Sequence, residues 1–166
     1  RENIKFANQN HDYIKGTLAI RGKVRRKKMS GGLLACSKRG ACSLYVDEQR
    51  DEKVITRVGK DMSKMKNLRK FQIHFRKCPK LGNQSIESLS DSLIMMTNLR
   101  SLKIIFQGGE SITNHGVRTL LNAIGKCVSL QDLDLRFIVC NNISDEALSN
   151  WEPKLKRLIH LKNVVL

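Results

Sequence analysis

Residues 65–78 read MKNLRKFQIHFRKC, and the line returns as MTNLRSLKIIFQGG at 96–109, CVSLQDLDLRFIVC at 127–140 and LIHLKNVVL at 158–166. Leu68, Leu99, Leu130 and Leu161 anchor the lines, and each step between them is 31 residues. A fixed period of this length, with matching residues on both sides of the anchor, is how a solenoid of stacked repeats appears in sequence.

Inside each unit the hydrophobic period changes once. Phe71, Ile73 and Phe75 return as Leu102, Ile104 and Phe106, then as Leu133, Leu135 and Phe137. Residues two apart point the same way in a strand, so each set marks a strand with one buried face. Beyond it, Ile86, Leu89 and Leu93 correspond to Val117, Leu120 and Ile124, then to Leu148, Trp151 and Leu155. Steps of three and four residues trace one face of a helix. Met65, Met96, Cys127 and Leu158 close that face. A strand followed by a helix too short to bury its own face stacks into a parallel sheet backed by helices. Ser85, Thr113 and Ser144 are expected to cap helix starts, with Asp145 and Glu146 in a first turn. Pro153 suits the first turn of a new segment, which predicts a break near Trp151 in the third helix. One core is expected from the strand residues together with Leu120, Ile124 and Leu148.

The line Leu-x-x-Leu-x-Leu-x-Phe, followed by a loop and then Asn-x-Ile-Ser-Asp-Glu-Ala-Leu at 141–148, resembles a leucine-rich repeat of the ribonuclease-inhibitor type. It is especially similar to the long repeats of ciliate proteins, some of them joined to kinase domains. Residues 111–117 give a second copy of the loop-to-helix motif. The resemblance covers about two-thirds of the chain and implies an α/β leucine-rich-repeat solenoid, with parallel strands on the concave face and helices on the convex face. It departs from the family in a strand one dipeptide longer; the position where Asn or Cys is usual is held by Cys78, Gly109 and Cys140, so the family's backbone-satisfying ladder is only partly present. By analogy it also allows a regulatory arm for an enzyme encoded outside this stretch.

The chain has 166 residues, of which 40% are hydrophobic. It divides into 1–46, a degenerate repeat or basic capping segment, and 47–166, repeats with the 31-residue period, expected to be truncated at the C-terminal end. Leu161, Val164 and Leu166 begin a strand that no helix follows, so more sequence or another chain is expected to cover it. Ile55, Val58 and Met62 lie 31 residues before Ile86, Leu89 and Leu93, which predicts an earlier helix at about 51–64. Its strand is expected at Cys42, Leu44 and Val46, another at residues 17–21, and a turn at Ser30-Gly31-Gly32. No run of about 18 apolar residues occurs, so nothing is expected to span a membrane. Five cysteines, an odd number without close pairs, point to a reducing intracellular compartment, cytoplasmic rather than mitochondrial. Cys78, Cys127 and Cys140 read as small core residues, and no metal site is expected at Cys36 and Cys42.

Formal net charge is +16. Residues 13–46 hold no acidic residue and nine basic ones: Lys15, Arg21, Lys23, Arg25, Arg26, Lys27, Lys28, Lys38 and Arg39. From Arg21 onward these are the candidates for contact with RNA backbone, since clustered cations release counterions from a polyanion. With only Tyr13 and Tyr45 nearby, base stacking is not part of that reading. The strand residues facing away from the helices offer a different surface. They are Lys70, Gln72, His74 and Arg76, then Ser101, Lys103, Ile105 and Gln107, then Asp132, Asp134, Arg136 and Ile138. Lys70, Ser101 and Asp132 should form one row, and Gln72, Lys103 and Asp134 the next, grading from basic to acidic. A graded face suits a protein partner better than a uniform polyanion.

Catalytic arrangements do not emerge. His11, His74, His115 and His160 are scattered, Gly108-Gly109 lacks the Lys-Ser/Thr of a phosphate loop, and Asp132 and Asp134 are a surface pair. The expectation is a non-enzymatic module that binds protein or scaffolds a larger assembly, without cofactor, small-molecule substrate or membrane. The alternative is a structural component of a ribonucleoprotein, such as an organellar ribosome.

Overall fold

The computed structural model describes residues 4–6, 17–21, 40–48, 52–149 and 151–166. Among these residues seven strands form one sheet in sequence order: β1 (Ile4–Phe6), β2 (Thr17–Arg21), β3 (Ala41–Asp47), β4 (Lys70–Arg76), β5 (Ser101–Gln107), β6 (Asp132–Ile138) and β7 (Asn163–Val165). Strands β2 to β7 are parallel, and β1 alone runs antiparallel, to β2. Helices α1 (Glu52–Met62), α2 (Asn83–Ile94) and α3 (Asn114–Ile124) cover one face. A 3-10 turn at Asp145–Leu148 and the short α4 (Glu152–Leu155) occupy the next helix position. Alternating parallel strands and helices of this kind make the chain a leucine-rich-repeat-like α/β solenoid. The anticipated register holds at every pairing from β4 to β6, with Phe75 beside Phe106 and Phe106 beside Phe137.

The 31-residue alternation is what fills the core. Leu68, Leu99 and Leu130 are fully buried, as are Phe71, Ile73, Ile104 and Phe106. Rings of Phe75, Phe106 and Phe137 stack across the repeats, with centroids 5.4 and 5.0 Å apart. On the helix side Val58, Met62, Ile86, Leu89, Leu93, Val117, Leu120 and Ile124 close the layer. The fourth helix is broken beside Trp151, as Pro153 predicts. That break alters the core membership: Leu148 is 43% exposed and Ala147 takes the buried place, because a 3-10 turn presents a different residue inward. The expected turn at Ser30-Gly31-Gly32 lies outside the described residues.

Two local devices differ from the sequence expectation. Ser85 does not cap a helix; α2 begins at Asn83, and the Ser85 hydroxyl sits inside the helix, donating to Glu52 Oε1 at 3.3 Å. Thr113 and Ser144 do occupy cap positions, yet neither side chain bonds its own helix. They join a ladder instead. Asn83 Oδ1 accepts the Thr113 N–H at 3.2 Å and Asn83 Nδ2 donates to Thr113 Oγ1 at 2.9 Å. Asn114 repeats both bonds to Ser144, each at 2.8 Å. The first residue of one helix thus holds the cap residue of the next repeat. At each strand end Glu48, Lys77, Gly108 and Val139 adopt positive φ, between 51° and 77°, and turn the chain toward the helix layer. Glycine tolerates this region, and a β-branched residue such as Val139 is strained in it.

Candidate functional site: the concave sheet face

The sheet face opposite the helices is a grid. Its rows run Ala41, Lys70, Ser101, Asp132, Asn163; Ser43, Gln72, Lys103, Asp134, Val165; Tyr45, His74, Ile105, Arg136; and Asp47, Arg76, Gln107, Ile138. Parallel pairing keeps neighbouring row members about 4.8 Å apart, so unlike charges in one row meet. Lys103 Nζ lies 2.7 Å from Asp134 Oδ2. Arg136 approaches the same carboxylate along its own strand, with Nε donating to Oδ1 at 2.7 Å and the second nitrogen to Oδ2 at 3.2 Å. Burial would raise the Asp134 pKa, but the hydrogen bonds from Arg136 and Lys103 outweigh it and hold the carboxyl below its usual range.

A second cluster lies at the β3 side. Arg76 makes a two-pronged bond to Asp47, Nε to Oδ1 at 3.0 Å and the terminal nitrogen to Oδ2 at 2.6 Å. The Asp47 side chain is only 3% exposed, so the fork neutralises an otherwise costly buried charge. The same guanidinium lies 5.9 Å from the Tyr45 ring centroid. His74 meets Tyr45 edge-on at 5.0 Å, and its Nε2 lies 3.3 Å from Gln107 Oε1. Burial lowers the His74 pKa, aided by Arg76 and Lys103 and opposed by Gln107 and Asp47. Tyr45 and Asp47 extend the face by a strand beyond the residues anticipated for it. Their signal is the alternation in ACSLYVD, two residues out of step with the main period.

Over the first two rows, from β4 to β7, runs a shallow groove of about 460 Å³, lined by Lys70, Gln72, Lys103, Asp132, Asp134 and Val165 among others. Asp132 accepts a 2.7 Å bond from Asn163 Nδ2. Lys70 has no ion pair among the described residues. All twelve concave residues singled out from sequence therefore share one face. Of the RNA candidates, only Arg21 falls within the described residues, at the end of β2; Lys23, Arg25, Arg26, Lys27, Lys28, Lys38 and Arg39 lie outside them.

Cys127 and Cys140 are free thiols. Cys78 donates to the Arg76 and Val46 carbonyls at 3.3 and 3.6 Å, satisfying backbone at the strand end. Burial pushes the Cys127 thiol up to about 11, so it stays protonated and unreactive. Among the described residues no group of His, Cys, Asp and Glu is placed to hold a metal ion, and no helix is long and apolar enough to cross a membrane.

No protein-family model matches the chain, and no curated protein does either. Solved structures do. A Caenorhabditis elegans tropomodulin C-terminal domain superposes with a TM-score of 0.58 at 11% identity, covering 81% of each chain. Actin-binding site 2 of leiomodin-1 gives a TM-score of 0.57 at 13% identity, covering 80% of this chain and 76% of the other. The likeness expected from the Leu-x-x-Leu-x-Leu line, to ribonuclease-inhibitor-type repeats of ciliate proteins, is corrected by these matches. That line encodes a strand with one buried face, a demand shared by every repeat of this architecture, so it specifies the solenoid without specifying the family. At this level of identity what the chain shares with both is the leucine-rich-repeat-like fold.

Proposed function

We propose that the chain is a non-catalytic interaction module that binds a protein partner through its concave sheet face and works in a reducing intracellular compartment. The observation that carries this reading is the preorganised charge on that face. Lys103 and Arg136 are both fixed on Asp134, and Arg76 on Asp47, so their positions are set before a partner arrives. Fixed, mixed charge discriminates between protein surfaces and lowers the ordering cost of association. The leiomodin-1 structure is described as an actin-binding site, which supports a protein as the partner and makes actin the first purified protein to try. Nothing in the comparisons or the described face supports the ribonucleoprotein alternative.

The test is replacement of Lys103 and Arg136 together by Glu. This crowds three carboxylates at Asp134 and should weaken partner binding by about tenfold or more, the scale of like-charge juxtaposition at an interface. Arg118→Glu, on the exposed face of α3, is the control and should bind as the parent does. Unchanged affinity in a folded double variant, checked by its thermal melt, places the contact elsewhere.

A further inference from the structure

In a parallel stack all helix-to-strand turns emerge on one rim, and here that rim is built four times over. The N–H groups of Met65, Met96, Cys127 and Leu158 donate to the carbonyls three residues earlier at 2.8–2.9 Å. Beyond each turn a single carbonyl then accepts two N–H groups from the next repeat. Arg69 O takes those of Arg100 and Ser101, Arg100 O those of Gln131 and Asp132, and Gln131 O those of Lys162 and Asn163, all between 2.7 and 3.2 Å. Arg69, Arg100, Gln131 and Lys162 are thereby held in line on a backbone ladder, at roughly strand spacing.

The rim carries charge of one sign. Residues 62–71, 92–101, 122–131 and 153–162 contain Lys and Arg and no Asp or Glu. Arg69, Arg100, Lys126, Arg157 and Lys162 are exposed, and none has an ion pair among the described residues. The opposite rim, where strands lead into helices, is mixed: it carries exposed Glu48, Glu110, Asp145 and Glu146 together with Lys77 and Lys80, and Lys77 lies 3.8 Å from Glu48. Beside the cations stand exposed aliphatic residues: Val128 and Ile159 occupy the same position one repeat apart, and Met95 lies in the cation row with Lys126 and Arg157. Met95 is 44% exposed, Val128 58% and Ile159 80%. Val128 has a further turn stacked beside it and stays exposed, so the exposure belongs to the position in the repeat.

We infer that this rim is a second interaction surface, separate from the concave face, and that it takes an acidic protein segment carrying aliphatic side chains. Unpaired cations on a rigid ladder complement a negative segment. The aliphatic pair Val128 and Ile159 says more. It has nothing to bury against in a sugar–phosphate backbone, and among the described residues the rim offers no exposed Phe, Tyr or Trp on which bases would stack. It also lacks the Trp and Tyr that anchor proteins at a membrane interface.

The experiment uses the 166-residue chain and a synthetic peptide of alternating Glu and Leu, followed by fluorescence anisotropy at about 50 mM salt, where charge contacts remain strong. Polyglutamate of equal charge, a polyuridine oligonucleotide and phosphatidylserine vesicles are the comparisons. The Glu–Leu peptide should bind more tightly than polyglutamate. Replacing Arg100, Lys126 and Arg157 by Glu should weaken it by about tenfold or more. Val128→Ser with Ile159→Ser should weaken the peptide and leave polyglutamate unchanged; these two exposed positions keep the test open if the charge variant fails to fold. Lys103→Glu with Arg136→Glu should have no effect, which separates this surface from the concave one. Equal binding of polyglutamate or the oligonucleotide, with no response to the serine pair, overturns the inference in favour of plain polyanion attraction. Preference for vesicles overturns it in favour of a bilayer, and absence of peptide binding overturns it outright.

Discussion

Gly59→Ala should destabilise the protein, although alanine is the better helix former. The substitution lies within α1 and gains about 1 kcal/mol of intrinsic helix propensity. Opposing this, a Cβ at Gly59 would stand 2.7 Å from Ser88 Oγ, 2.8 Å from Ser88 C and 2.9 Å from Ser88 O. Two of those atoms are α2 backbone, so no rotamer change relieves the overlap and the helices must separate. Overpacking of this kind costs about 1–3 kcal/mol. Separation also strains the bonds that tie the helices: Ser92 Oγ to the Gly59 carbonyl, and Ser88 Oγ to the Thr56 carbonyl at 2.9 Å. Each contributes about 1 kcal/mol. The net expectation is a loss of about 2–3 kcal/mol, or a melting point lower by about 4–12 °C for a chain of this size. Urea unfolding followed by far-UV circular dichroism measures it, with a lower midpoint at unchanged slope. Asn122→Ala, exposed on α3, supplies the propensity gain without a clash and should be neutral or stabilising. A double variant with Ser88→Ala should not recover stability, because the backbone overlaps remain. If Gly59→Ala is as stable as the parent, the close approach of α1 and α2 described above is wrong.

Phe106→Ala should cost about 3–5 kcal/mol, since the ring is fully buried between Phe75 and Phe137; a loss below about 1 kcal/mol in the same unfolding assay would refute the burial of that strand position. His74 has a folded pKa below its ordinary value, so below about pH 6.5 the unfolded chain binds more protons than the folded one. Stability therefore falls as the pH drops from there toward the folded pKa, and His74→Gln should flatten that part of the stability-against-pH curve. Parallel curves for parent and variant between about pH 7 and 5 would refute it.

The repeats were legible from one kind of information, the spacing of apolar residues. Leu99, Leu102, Ile104 and Phe106 state their own burial, and because the next unit restates it, register and concave rows followed without further input. Asp134 with Lys103 was readable in the same way, as two charges one repeat apart. Arg136 joining them was not, because a residue two positions along the same strand reaches the carboxylate only through its rotamer. Nor was the Asp47–Arg76 fork, since Asp47 sits on a strand whose loop is shorter and breaks the period. The asparagine ladder is hidden in the sequence for another reason. Asn83 and Asn114 are 31 residues apart, but a polar residue at a helix start reads as a local cap until the structure shows it reaching to the next unit. Leu148 misled because the helical period was extended through a segment that Pro153 had already broken.

The stacked phenylalanines have a consequence for how the molecule comes apart. In a linear array each unit is held by its own stability and by its coupling to the units on either side. Rings that sit face to face across successive repeat boundaries place a large share of the favourable energy in the coupling, so removing one unit strips its neighbours as well. Opening of β4, β5 or β6 alone is then disfavoured relative to opening of all three. Their amides should exchange with solvent at a common free energy, as one cooperative block. Sequence drift can reshape the rims and the concave grid while this column keeps the repeats in step.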